Sequence, residues 1–333
     1  MSASRRLSAL SGQVRAASTM KEAIVSRGPK VEIIDTTIPK AGPGQVVTKI
    51  MFSGSNPKDW KRPEYWGARG TGNQGDDISG VVHEVGEGVS EFRPGDRVAA
   101  MHEMKQPGGS YAEYGVSWAY TTFHLPDKTS FEEGAALPLT ALTAACGLYA
   151  RLGLPEPWLP VSDSQKIPLV IWGASSAVGS YAIQLAKRSN IHPLICVAGR
   201  AQGHVEKLID RSKGDTVIDY RKGHEAVAEE MKASLNGAKL EYAFDAISED
   251  GSYQTICEVL DHHTGKITNI DFGYVYTRYF SKGLEEGWLK AQPQEIIPGG
   301  LAGVEKGLTN LKNGTASAVK YIFRIADTPG VQS

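Results

Sequence analysis

Between Met20 and Val116 the apolar positions come in short runs cut by glycine and proline. Glu22–Ser26, Val31–Asp35, Val46–Phe52, Ile78–Val85 and Arg97–Met101 read as strands. Pro39, Gly42, Pro43, Gly44, Gly86, Gly88, Pro94 and Gly95 punctuate them. Five strands at this spacing predict a small barrel or sandwich. The rhythm changes near Phe131, where "FEEGAALPLTALTAACGLYARLG" predicts a helix and Pro155, Pro157 and Pro160 then mark a loop. Pro168–Trp172 is apolar without alternation, as in a strand buried on both faces. Val178, Tyr181, Ala182, Leu185 and Ala186 follow at helical spacing. "HPLICVAG" is a second buried strand; "TVIDY", "YAFDAI" and "GKITNI" are later ones, with helical stretches between them. Alternating strand and helix predicts an α/β fold with a doubly wound parallel sheet. "GGLAGVEKGLTNLKNG" predicts a further helix and "SAVKYIFRIA" a closing strand.

Composition adds exclusions. The 333 residues suffice for two domains, and 41% hydrophobic with 22% charged residues is ordinary for a water-soluble globular chain. A net charge of -1 gives no reason to expect nucleic acid or an anionic membrane as partner. No apolar run reaches the roughly 20 residues of a membrane helix. Cys146, Cys196 and Cys257 lie far apart in apolar segments, with no CxxC pair, and read as buried free thiols rather than a disulfide framework or zinc lobe. Residues 1–19 hold Arg5, Arg6, Arg15, five serines and no acid, with Leu7, Leu10 and Val14 on one helical face. That composition fits a mitochondrial transit peptide; a disordered tail, or Met20 as the true start, fits equally. Localisation is expected to be cytoplasmic, or mitochondrial if this segment acts as a leader.

The strongest local signal is the strand ending at Trp172, the turn "GASSAVG" and the helix after it. Backbone N–H groups and the positive end of a helix meet there, which suits a pyrophosphate. Gly173, Ala174, Ser175, Ser176, Ala177, Val178 and Gly179 are therefore the expected cofactor-binding residues. Gly173 eases the strand exit, Ser175 and Ser176 offer hydroxyls, and Gly179 permits close helix–strand packing. Strict GxGxxG is not met, because Ala174 and Ser176 stand at two of the glycine positions, and a βα turn that binds nothing shares the pattern. Its place between a buried strand and a helix favours a dinucleotide. The second strand ends Val197-Ala198-Gly199-Arg200 with no acid to hold a ribose 2′-hydroxyl. Arg200 can instead pair with a 2′-phosphate, so NADPH is expected; an exposed loop arginine is the alternative.

Several stretches now agree in order: "SGSNPKDWK" (53–61), "GDDISGVVHEVGEGVSEFRPGDRVA" (75–99), "GGSYAEY" (108–114), "LPDKTSFEEGAALPLTALTA" (125–144), "GASSAVGSYAIQLAK" (173–187) and "DTVIDYR" (215–221). Over most of residues 20–330 the chain resembles the medium-chain dehydrogenase/reductases, and within them the zinc-free quinone oxidoreductase and enoyl reductase branch, including fungal trans-acting enoyl reductases. The resemblance implies a GroES-like β-rich catalytic domain from residues 20–140 and 287–333, and a Rossmann domain from 141–286. Zinc-dependent relatives place ligands at positions matching Asn56, Asp76 and Leu139, which do not make a zinc site. His83 and His102 have no ligand set around them and are expected to be satisfied or exposed.

Without a metal the implied chemistry is conjugate reduction of an activated C=C (enoyl) group or a quinone. Thr143 matches a threonine beside the nicotinamide in relatives, and the resemblance implies that Asn56 and Lys61 sit on the loop that faces the cofactor in this branch. Lys61 is the implied enolate stabiliser or proton relay, with a solvated surface lysine as the alternative. Tyr220 matches a tyrosine that contacts the 2′-phosphate, with strand-end packing as the alternative. Implied partners are a small-molecule or acyl-thioester substrate and a polyketide synthase, with the chain a monomer or homodimer. Relatives carry a longer stretch between "GKIT" and "DFGYVYTRYF". The direct junction here would remove a strand end, a loop near the nicotinamide and a further sheet strand, which bears on pairing of chains and on activity. Two other readings stay open: a zinc-type alcohol dehydrogenase and a non-catalytic NADPH-binding protein.

Overall fold

The computed structural model describes residues 19–267 and 274–331. Nearly all of the N-terminal segment 1–19 and most of the 266–272 junction lie outside them. The chain opens with a hairpin of β1 (Thr19–Ser26) and β2 (Lys30–Thr37), paired antiparallel. Then come β3 (Gln45–Gly54), α1 (Lys58–Trp66), β4 (Asp77–Val85), β5 (Arg97–Met101), β6 (Tyr114–Trp118) and β7 (Thr122–His124).

The stretch expected as one helix is broken into α2 (Phe131–Ala135), α3 (Pro138–Ala145) and a π-helical turn at Cys146–Arg151. The break has local causes. Ser130 and Glu133 form a reciprocal capping box at the start of α2, and Pro138, with no N–H to donate, opens α3.

The second half runs β8 (Leu169–Trp172), α4 (Ala177–Arg188), β9 (Leu194–Ala198), α5 (Gln202–Glu206), β10 (Thr216–Asp219), α6 (His224–Leu235), β11 (Tyr242–Asp245), α7 (Ser252–Cys257) and β12 (Lys266–Ile267). The chain closes with α8 (Tyr274–Glu286), β13 (Gln294–Ile296), α9 (Val304–Lys312) and β14 (Lys320–Arg324).

Two larger sheets result. One has the order β13-β14-β3-β4-β5-β7, with β6 pairing β3, so the last strand returns beside β3. The sequence missed β6, β7 and β13, each five residues or fewer. The other is parallel, in the order β10-β9-β8-β11-β12. Counted along the chain, that is the 3-2-1-4-5 order of a dinucleotide-binding sheet, whose direction reverses between β8 and β11. β8 and β9 are buried at every position, which explains their unbroken apolar runs.

One buried cluster joins the two halves. Ala99, Phe123 and Leu125 pack with Leu142 and Leu148, with Tyr181 and Leu185 of α4, and with Phe280 of α8. Phe123 and Phe280 meet edge to face at 6.1 Å, and the Ser281 hydroxyl donates to His124 O at 2.8 Å. α8, expected with the nucleotide-binding half, thus packs against β7. Tyr181 Oη donates to Ala136 O at 3.1 Å and accepts from Gln292 N at 2.9 Å, fixing α4 against both chain crossings. Cys146 and Cys196 are buried, but Cys257 is exposed at the end of α7, contrary to expectation, because Ser252, Thr255 and Ile256 form the buried face of that short helix and Cys257 lies opposite with Tyr253 and Gln254.

Candidate active site

The turn after β8 is shaped by its two glycines. Gly173 has φ +75°, which a side chain rarely adopts. A Cβ at Gly179 would lie 2.3 Å from Gly173 O, so only glycine lets α4 approach the turn this closely. Ser176 caps α4 by accepting from Gly179 N at 3.0 Å, which leaves its own hydroxyl proton free to donate. Ala177 and Val178 begin the helix, where N–H groups have no intrahelical acceptor.

A cavity of about 430 Å³ opens at this turn, at the reversal of the parallel sheet. Gly173, Ser175, Ser176, Arg200 and Tyr220 line it, as do His224, Glu249 and Asp250, which the sequence reading did not single out. Gly199 is demanded by Tyr220, whose ring carbon would sit 2.5 Å from a Cβ there. Arg200 also donates to Gly314 O at 3.2 Å, tying the end of β9 to the 314–318 loop across the cavity. No carboxylate stands at the end of β9. Asp219, one strand over, is engaged by Arg221, whose hydrogen bonds pull its carboxyl down to about 2.

A second cavity, about 240 Å³, continues from the first and shares Ser175, Ser176, Ala316 and Ala318 with it. Its far wall holds Asn56, Thr140, Gln292 and Lys320. The strand register explains this grouping. Gly54 pairs with Asp77 on β4 and with Ile322 on β14, so the residues just beyond, Asn56 and Lys320, meet Asp77 at one sheet end. Asn56 Nδ2 donates to Asp77 Oδ2 at 2.8 Å, and Lys320 Nζ donates to Asn56 Oδ1 and Asp77 Oδ2, both at 2.8 Å. Asp77 Oδ1 accepts from Leu139 N at 2.7 Å, within the first turn of α3, where a negative charge is favoured.

A second buried ion cluster lies beside this one. Lys58 Nζ forms ion pairs with Asp59 at 2.7 Å and Asp76 at 2.5 Å and donates to Gln74 O at 2.6 Å. Asp76 also meets His102 Nδ1 at 3.0 Å. Burial works to raise the Asp76 carboxyl, but Lys58 and His102 outweigh it and hold it below its ordinary value. Asp59 goes the other way, raised chiefly by burial, and the Tyr111 hydroxyl that donates to it at 2.6 Å is pushed well up. Of the three positions that the resemblance sets against zinc ligands, Asn56 and Asp76 thus face the ammonium groups of Lys320 and Lys58, and Leu139 brings only a backbone N–H, which donates to Asp77. Among the described residues no group of three His, Cys, Asp or Glu side chains could hold a metal.

The sequence-derived site residues separate into those on the groove and those behind it. Gly173, Ser175, Ser176, Ala177, Arg200, Tyr220 and Asn56 line it. Ala174 does not: it is fully buried and its N–H donates to Val197 O at 3.0 Å, so it ties strands rather than a phosphate. Val178 packs into the core, and Gly179 acts through close packing. Thr143, half-buried, donates to Leu139 O at 2.7 Å, and Thr140, one turn earlier on α3, lines the second cavity. Lys61 lines neither cavity and is bonded to Glu249, which does line the first. Asp77, Gln292 and Lys320 escaped the sequence reading. The one available signal was a lysine opening an otherwise apolar strand, "KYIF".

Comparison with known proteins agrees with this architecture. The alcohol dehydrogenase GroES-like domain family matches residues 42–127. Trans-enoyl reductase fsr4 of Gibberella fujikuroi is 68% identical over 322 aligned positions, covering 88% of this chain and 95% of that protein. The quinone oxidoreductase from Coxiella burnetii shares the fold at TM-score 0.72 and 20% identity, covering 92% of this chain and 99% of that one. So does the crotonyl-CoA carboxylase/reductase AntE, solved in complex with NADP, at TM-score 0.73 and 16% identity, covering 93% and 95%. Identity at that level over nearly the whole of a curated relative, on this fold and groove, makes the chain a member of the trans-enoyl reductases within the medium-chain dehydrogenase/reductase superfamily.

Proposed function

We propose that the protein is an NADPH-dependent reductase of an activated C=C bond in an acyl thioester, with quinones as alternative acceptors. The observation that carries this reading is the continuous groove. It runs from Arg200 and Tyr220, past Ser175 and Ser176, to a closed end at Asn56 and Lys320. One end suits a 2′-phosphate: Arg200 and Tyr220 line it, and no acid ends β9. The turn and the first N–H groups of α4 suit a pyrophosphate. Bound there, the nicotinamide would supply a hydride.

This chain's own residues supply the rest. Arg200 and the α4 N-terminus bind and orient. The 314–318 loop forms one wall of the groove. At the closed end, hydrogen-bond donors face the place where an acceptor's oxygen gains negative charge. A polyketide synthase carrying the acyl chain is the proposed partner, in keeping with the trans-acting family.

The test is NADPH consumption by the purified protein across enoyl thioesters, enones and quinones, with NADH as control. Turnover with an enoyl thioester and a preference for NADPH support the reading. Absence of turnover with every acceptor would leave a non-catalytic NADPH-binding protein.

A further inference from the structure

Lys58 and Lys320 are both largely buried lysines, in different surroundings. Lys58 has three oxygens within 2.7 Å, on Asp59, Asp76 and Gln74. Lys320, only 4% exposed, meets two acceptors among the described residues, Asn56 Oδ1 and Asp77 Oδ2. An ammonium carries three donors, and leaving one unmade in a buried site is costly. Lys320 also lines the closed end of the 240 Å³ cavity, so its spare N–H has that space to donate into. Asn56 cannot take the same part: its carbonyl oxygen is held by Lys320, which fixes the amide's orientation with its NH₂ on Asp77.

We propose that the third N–H of Lys320, aimed by Asn56 and Asp77, is the hydrogen-bond donor to the carbonyl oxygen of the acceptor. The proposal rests on the enoyl reductase reading above. In that reaction the β-carbon takes a hydride from the reduced nicotinamide, which leaves oxidised. The C=C π electrons shift to form a Cα=C bond, and the carbonyl π pair moves onto oxygen. The resulting enolate then takes a proton from solvent at the α-carbon, and the C=O re-forms. Charge builds on the oxygen only during the step, so a donor fixed there beforehand stabilises the transition state more than the ground state. Lys320 keeps its own proton throughout. Asp77 acts as a positioning residue, holding the ammonium from one side while the Leu139 N–H fixes the other carboxylate oxygen.

The single change Lys320→Met would leave the Asp77 carboxylate buried without its cation and could prevent folding. The test therefore uses the double variant Lys320→Met/Asp77→Asn, which removes both charges, beside the wild type. Thermal unfolding and NADPH affinity, the latter set at the Arg200 end, report folding and should stay within about threefold of wild type. Turnover with crotonyl pantetheine should fall about 100-fold, the usual effect of removing one oxyanion donor. A strongly electrophilic quinone, which needs less help at oxygen, should lose less than about tenfold.

The second readout needs no turnover. Acetoacetyl pantetheine bound in the presence of NADP⁺ should show its near-ultraviolet enolate absorbance at lower pH in the wild type than in the variant. Equal enolate absorbance in the two proteins, or equal loss with both acceptors, overturns the role of Lys320. A wild type that stabilises the enolate yet oxidises no NADPH overturns the reductase reading and leaves the donor role standing.

Discussion

Replacing Arg200 with alanine isolates the contact on which cofactor choice is proposed to depend. The guanidinium is exposed at the cavity rim and spends one N–H on Gly314 O, leaving four others for a phosphate. Charge-assisted hydrogen bonds contribute about 1.5–3 kcal/mol, and solvent at the rim argues for the lower half of that range. At about 1.4 kcal/mol per factor of ten, NADPH affinity should fall roughly 10- to 50-fold. NADH has no 2′-phosphate, so its affinity should change only through the lost tie to the 314–318 loop, and that loss is shared by both cofactors. The informative quantity is therefore the ratio of the two changes, measured by fluorescence titration of each reduced cofactor and by kcat/KM. Raising salt should shrink the wild-type preference and leave the variant nearly insensitive, because a rim contact is screened over about 8 Å at physiological ionic strength. Parallel losses for NADPH and NADH would show that Arg200 serves the loop and reads no phosphate, and would remove the main support for NADPH.

Two further perturbations test other links. Gly179→Ala places a methyl 2.3 Å from Gly173 O and 2.8 Å from Ala174 Cα, so α4 must back away from the turn. The expected cost is about 1–3 kcal/mol of stability, with weaker binding of both cofactors alike, read from melting and titration. Gly203→Ala in α5, where a Cβ meets nothing within 4 Å, is the matched control and should be neutral or stabilising by about 0.5–1 kcal/mol. The acid limb of stability tests the Lys58 cluster. The Asp76 carboxyl is held below its unfolded value, so its contribution is present above that value and drains away as pH falls through the folded one. Urea midpoints should therefore drop less steeply below about pH 4 in Asp76→Asn than in wild type. Asp59, raised by burial, has the opposite sign, and Asp59→Asn should steepen the same limb; an unchanged acid limb in both variants would mean the cluster does not titrate as drawn.

Patterns with a short physical range were legible in the sequence. The buried strands β8 and β9 announced themselves because a strand covered on both faces needs no polar position. The turn after β8 was readable because glycine at positive φ and glycine at a helix–strand contact are local demands. β6, β7 and β13 were not, since three to five residues carry too little periodicity to stand out. The closed end of the groove was hidden for a different reason. Asn56, Asp77 and Lys320 are brought together by the pairing of β14 with β3 and of β3 with β4, and 264 positions separate the first from the last.

The chemistry of the closed end also bears on which acceptors the site can serve. Two ammonium groups, Lys58 and Lys320, lie against the carboxylates Asp76 and Asp77, where a dication would otherwise find its ligands. A metal there would have to displace a buried, hydrogen-bonded cation, or sit a few ångströms from one, and at that range like charges repel by several kcal/mol even in a moderately polar medium. The polarising group left to the site is then an N–H on an ammonium already half neutralised by Asp77. A donor of that kind supports about a 100- to 1000-fold acceleration. That is modest help for a simple ketone, whose alkoxide product carries a full localised charge. An enoyl thioester or a quinone spreads the same charge over a conjugated system and asks less of its surroundings. The ion pairing at Asp76 and Asp77 and the conjugated acceptor are thus one design: the site can do without a Lewis acid because its substrate brings its own electron sink.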